Sequence, residues 1–220
     1  MNKTFGKLIA EFVGTATLVT VVVGSGIMGT NLSKDSGVAL VINAASTVLA
    51  LGLLIYVIGP ISGAHFNPAV TLTQWLGKQV SGLLAIYFTV AQVFGAVFGS
   101  IVANLMFDLG AIQLATHERV SSGTIIGEII ATAGLITVIG VFSNRGQGAL
   151  IPIAVPAWIG SAYFFTSSTS FANPAVAIGR VFSNTFAGIA PDSVAPFIVA
   201  QLVGALLGFV LLKGISNVSS

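Results

Sequence analysis

The sequence predicts an all-α membrane protein: six transmembrane helices plus two re-entrant half-helices, arranged as an inverted repeat. Three observations carry this. The 220-residue chain is 55% hydrophobic and only 6% charged, with a mean hydropathy of +1.02. Its apolar residues fall in continuous runs of bilayer-spanning length rather than in short alternating segments. The tetrapeptide Asn-Pro-Ala-Val occurs twice, beginning at Asn67 and at Asn173.

Composition decides the solvent. A soluble domain carries about 25% charged residues, and this chain has too few to cover a water-facing surface. The uncharged stretch from Ser36 to Gly77 is far longer than the roughly 20 residues that cross a bilayer once. It holds one span and a further segment buried at membrane depth. A net charge of +2 without any basic run gives no footprint for a nucleic-acid partner. The chain has no cysteine, which excludes disulfides, thiolate metal sites and Cys nucleophiles. No HExxH motif is present either, and no cofactor or metal is expected. The first apolar run, Leu8 to Met28, is too long for a signal-peptide core and reads as a retained first helix.

Only helices and closed barrels cross lipid, and the run lengths select helices. Spans are expected at 6–28, 38–58, 83–106, 123–142, 149–167 and 194–216. Two apolar stretches, 67–77 and 173–183, remain and are too short to span. Lys and Arg in the short loops set the orientation. With the N-terminus inside, the interior side receives Lys3, Lys7, Lys78, Arg145 and Lys213 and no acid, whereas the exterior side receives a mixture of both signs. Both termini are therefore expected in the cytoplasm, with the chain in a plasma membrane.

The whole chain, 1–220, reads as one domain with repeats at about 1–108 and 120–220. Three elements recur in one order: Glu11 and Glu128 in apolar helices, then the two Asn-Pro-Ala turns, then Gln92 and Gln201. Asn67 and Asn173 lie 106 residues apart, and the two glutamines 109. Three spans per repeat turn the second copy upside down, which places a site near the bilayer midplane. Asn is a favoured helix N-cap, and Pro is favoured at the first helical position, where its missing N–H is no loss. Each motif therefore starts a helix, at Pro68 and at Pro174. A ten-residue half-helix is roughly 15 Å long, so two entering from opposite faces cover the roughly 30 Å core. The capping oxygens accept backbone N–H groups, and both NH₂ groups are expected to stay free to donate at mid-membrane. Two positive dipole ends back them. Such a point admits neutral solutes and repels cations.

These residues resemble the aquaporin and glycerol-facilitator family over essentially the whole chain. The likeness is carried by Glu11 with Gly14 and Thr15, Ser62-Gly63, His65, Asn67-Pro68-Ala69, Gln92, Glu128, Asn173-Pro174-Ala175 and Gln201. It implies a right-handed bundle with its own pore, four to a tetramer, passing small neutral solutes and catalysing no reaction. It also places His65 at the cytoplasmic pore mouth. An exterior constriction is implied, usually with an Arg three residues after the second Asn; here that residue is Val176. Counting the family's spacing gives Thr47, Ser161 and Ser170 as the other members. This ring, without charge or aromatic side chain, is expected to be wider than a water-only filter and to pass water, glycerol-like polyols and undissociated arsenite. The valine version resembles bacterial members associated with arsenic resistance. Arg180, one turn beyond Val176, either drapes toward this ring or snorkels to the lipid interface.

Glu11 and Glu128 have two readings: acceptors for buried loop N–H groups, or proton chemistry. The small-xxx-small pairs Gly95/Gly99 and Gly204/Gly208 let backbones approach closely, and are expected to join the two halves. Rival functions are a water-selective channel and an ion-coupled secondary transporter, which also uses inverted repeats.

Overall fold

A computed structural model describes residues 3–218. The chain ends, assigned above to the cytoplasm, lie outside the described residues. Eight α-helices occur among these: α1 (Lys3–Leu32), α2 (Ser36–Ser62), α3 (Pro68–Leu76), α4 (Gly82–Met106), α5 (Ser122–Asn144), α6 (Ile151–Phe165), α7 (Pro174–Gly179) and α8 (Pro191–Val218). A 3₁₀ turn, Gly148–Leu150, leads into α6, and another, Arg180–Phe182, follows α7. Six helices are long and apolar enough to cross a membrane: α1, α2, α4, α5, α6 with its leading turn, and α8. Two long helices, one short and one long thus occur twice in succession.

Local chemistry sets the boundaries. Asp35 caps α2 by accepting from the backbone N–H groups of Gly37 and Val38. Gly63 ends it at φ 96°, a left-handed conformation that costs glycine no Cβ clash. Ser121 and Thr124 form a reciprocal capping box at the start of α5.

The bundle is inside-out relative to a soluble protein. Leu49, Phe94, Ile153 and Val210 are exposed on its flanks, where lipid is the solvent. The interior instead holds small residues and fully buried Glu11, Gln92, Asn104, Glu128 and Gln201. Without a hydrophobic drive between helices in lipid, association rests on close packing. A Cβ on Gly95 or Gly99 would overlap the carbonyl oxygens of Phe12 and Ala16 on α1. A Cβ on Gly204 or Gly208 would overlap those of Ile129 and Ala133 on α5. Here the expectation is corrected: each glycine pair fastens two helices of one half, not one half to the other. A spacing of four residues on both partners presents one face of each helix, and that face belongs to the parallel neighbour within the same half.

Candidate functional site

The two Asn-Pro-Ala turns meet inside the bundle. Asn67 Oδ1 accepts from Ala69 N at 2.8 Å, and Asn173 Oδ1 accepts from Ala175 N at 3.0 Å and Val176 N at 3.3 Å. Pro68 and Pro174 open the helices behind these caps. The amide nitrogens then cross. Asn67 Nδ2 donates to Ala172 O at 2.7 Å, and Asn173 Nδ2 donates to Phe66 O at 2.8 Å. The expectation of two wholly free NH₂ groups is thereby corrected. Each amide spends one N–H on tying the half-helices tip to tip and keeps its second. The cap brings the loop carbonyl of the other half within reach, which no single-chain segment reveals.

The loops that feed the motifs share an unusual backbone. Gly63, Ala64 and Phe66 have positive φ, and so do Thr169, Ser170 and Ala172 at the same offsets from the second Asn. Such conformations cost non-glycine residues about 1–3 kcal/mol and persist only when held from outside. Glu11 holds the first loop: Oε1 accepts from Ser62 Oγ at 2.6 Å and His65 N at 3.0 Å, and Oε2 from Phe66 N at 2.7 Å and Gln92 Nε2 at 2.7 Å. Glu128 holds the second through Phe171 N at 2.9 Å, Ala172 N at 2.8 Å and Gln201 Nε2 at 2.6 Å. The N–H groups turn outward to the carboxylates, so the same peptides present their carbonyls inward.

A cavity of about 250 Å³ runs past both motifs. Asn67, Asn173, His65, Thr47, Ser170, Val176 and Arg180 line it. Its apolar wall comes from helix stripes four residues apart, such as Thr47, Leu51 and Ile55 on α2 and Val155, Ile159 and Tyr163 on α6. His65 Nδ1 lies 3.0 Å from Thr71 Oγ1, and its ring meets Phe88 edge-on at 5.2 Å. His65 shares its end of the cavity with Gln74 and Ser143, which lie near the loops bearing Lys78 and Arg145. Among the described residues no cluster of three His, Cys, Asp or Glu could hold a metal.

The family model described as "Major intrinsic protein" matches residues 1–172. The chain belongs to the major intrinsic protein family. The chain is 41% identical over 207 residues to the aquaglyceroporin AqpS of Rhizobium meliloti (strain 1021), covering 94% of this chain and 88% of that protein. It is 31% identical to aquaporin Z of Brucella melitensis biotype 1, covering 95% and 97% of the two chains. The X-ray structure of the aquaglyceroporin from Plasmodium falciparum superposes with a TM-score of 0.75 over 94% of both chains. At 21% identity that likeness speaks for the fold alone. Major intrinsic proteins are channels, not enzymes, so this chain is an integral membrane channel for small neutral solutes.

Within this major intrinsic protein the cavity lining includes Thr47, Ser170 and Val176 of the ring read off the sequence, but not Ser161. Ser161 is exposed on the flank of α6 and does not line the cavity. Tyr163, two residues on, is buried, lines the cavity and donates from its hydroxyl to Thr47 Oγ1 at 3.3 Å. Two residues along a helix rotate a side chain by about 200°, so a two-residue counting error across the irregular 166–173 loop selects the opposite face. The stripe Val155, Ile159, Tyr163 was the signal that could have found it. Arg180 does not snorkel to lipid. It is 4% exposed, donates from Nε to Ala187 O, and stacks 3.5 Å above the Phe171 ring centroid. The lining is therefore neither uncharged nor free of aromatic groups. Ser170 Oγ is buried beside it without a hydrogen-bond partner.

Proposed function

We propose that this channel passively conducts neutral solutes larger than water, namely glycerol-like polyols and undissociated metalloid hydroxides such as arsenite, along with water. One observation carries the reading: Val176 stands on the first turn of α7 and lines the cavity, where an Arg would project into the path, and the Arg180 guanidinium is folded back onto Phe171. What remains at the constriction is amphipathic. Val176, Ile159 and the Tyr163 ring offer apolar contact, while Ser170 and Arg180 offer hydrogen bonds. A polyol or a trihydroxide presents a similar division between hydroxyl edge and less polar face. The relative named an aquaglyceroporin supports the same class.

At the motifs, the remaining N–H of each Asn points a passing water's oxygen at both amides. Its hydrogens then face the carbonyl-lined stretches on either side, which interrupts a proton-conducting chain. Glu11 and Glu128 serve as scaffolds, because their oxygens are already taken by loop donors. The same saturation weighs against an ion-coupled transporter. The protomer works as one of four in a tetramer, with both termini in the cytoplasm of a bacterium and the protein in its inner membrane. Cross-linking and protease accessibility of tagged ends read these out.

Light-scattering measurements of water, glycerol, urea and arsenite flux on the protein in liposomes test the proposal. Glycerol and arsenite should cross well above the lipid background, and Val176→Arg should depress both more than water. Water flux alone, or Val176→Arg with unchanged glycerol flux, would overturn it. A water-selective channel is the second reading, favoured by the presence of both Tyr163 and Arg180 beside the cavity.

A further inference from the structure

Two arginines share one turn on the exterior side. The segment from Ser183 to Ala190 exposes three consecutive carbonyls to them. Phe186 O accepts from Arg119 Nη2 at 2.9 Å, Ala187 O from Arg180 Nε, and Gly188 O from Arg119 Nε at 2.7 Å. Phe171 lies beneath both, with guanidinium carbons 5.3 Å (Arg119) and 3.5 Å (Arg180) from its centroid. All these hydrogen bonds end on carbonyls and none on a carboxylate. Glu128, close by, is occupied by Phe171 N, Ala172 N and Gln201. Arg119 is itself anchored, its backbone N–H donating to Ser193 Oγ at 3.0 Å.

The consequence is mechanical and electrostatic. Arg180 comes from the end of a half-helix of only six residues, and its guanidinium is held by the Nε hydrogen bond to Ala187 O and by stacking on Phe171. Arg119 grips the carbonyls on either side of that contact. A planar guanidinium can bridge two acceptors with fixed geometry, and an ammonium cannot. We infer that Arg119 is a positioning residue for selectivity: by clamping the 183–190 turn it fixes Arg180 on Phe171 in the cavity wall, and the Arg180 charge so held forms the channel's exterior cation barrier. The barrier lost with an Arg at Val176 is rebuilt one turn further out, beside a path left wide enough for larger neutral solutes. This rests on Arg180 belonging to the constriction of the proposed channel.

The test compares wild type, Arg119→Gln, Arg119→Lys, Arg180→Gln and the double variant R119Q/R180Q in proteoliposomes. Proton flux under an imposed potential is divided by water flux for each. Removing one unit charge a few ångströms from a narrow path should raise that ratio about tenfold in R180Q. R119Q should move it the same way, R119K less so, and the double variant should match R180Q because Arg119 acts through it. Charge loss alone would instead make the double variant exceed R180Q, and that result overturns the positioning role. So does a wild-type ratio in both R119Q and R119K. Should R119Q not assemble, R119K decides alone. Because water is the reference, absence of glycerol flux would sink the polyol reading while leaving this ratio readable.

Discussion

Replacing Glu11 by Gln keeps the shape of the side chain and removes one acceptor oxygen. In the native site both oxygens take two donors each: Ser62 Oγ and His65 N on Oε1, Phe66 N and Gln92 Nε2 on Oε2. An amide retains one oxygen and sets an NH₂ where the other was. The best remaining arrangement keeps the oxygen toward Ser62 and His65. Gln92 can then turn over, since its Oε1 is buried without a partner, and accept from the new amide. Phe66 N cannot adapt, because its peptide is fixed by the left-handed φ of 50° and by the Asn173 bond to its carbonyl. One buried backbone donor is left unpaired, at a cost of about 1–3 kcal/mol. Turning over Gln92 also gives up its bond to Thr71 Oγ1 at 3.0 Å, worth about another 1 kcal/mol. Thermal aggregation of E11Q in detergent, followed by size-exclusion chromatography, should therefore set in clearly below wild type. Flux per folded channel should fall as the Phe66 carbonyl loses its place. If E11Q proved as stable as wild type yet lost a proton-dependent component of flux, the carboxylate would be a proton carrier and the scaffold reasoning would be wrong.

Asn67→Ala removes a cap and one cross-bond together, for a loss of about 1–3 kcal/mol, and Asn173→Ala should match it; equal shifts in thermal midpoint check the symmetry of the pair. Gly99→Leu forces a Cβ into the Ala16 carbonyl and should abolish the monodisperse peak, whereas Gly214→Ala, with open space around it, should leave the profile unchanged. Burial and then the charges of Arg119 and Arg180 lower the His117 pKa, so its imidazole stays neutral at pH 7. A base with a lowered folded pKa favours the fold above its unfolded value and loses that contribution as pH falls through it. Flux should hence be flat from about pH 7 to about pH 8, and any change on acidification should vanish in His117→Ala. Burial pushes the Arg119 guanidinium down to about 10, which leaves it charged throughout that range, so the proton-to-water ratio should not vary there either.

Much of this channel could be read from the chain alone because its determinants are local. Span positions follow from apolar run length, and the helix starts at Pro68 and Pro174 follow from an Asn cap with Pro behind it. The glutamate scaffolds followed from the need to satisfy buried loop N–H groups. Val176 was legible as a spacing from Asn173. Ser161 was not, because the rotation of α6 is set by packing against α2 and α5, and two residues of miscounting turn a wall residue into a lipid-facing one.

The sequence by itself thus determined the solvent, from composition, the six crossings, each from one continuous apolar run, and the two capped turns, each from a few adjacent residues. Tertiary structure alone decided that the Asn amides tie across to Phe66 and Ala172, that the glycine pairs fasten α1 to α4 and α5 to α8, and that Arg180 lies on Phe171 with Arg119 over the same ring. Except for Arg180 on Phe171, these contacts join residues dozens of positions apart. Side-chain direction there depends on how whole helices rotate against one another, and no local pattern in the chain records that rotation.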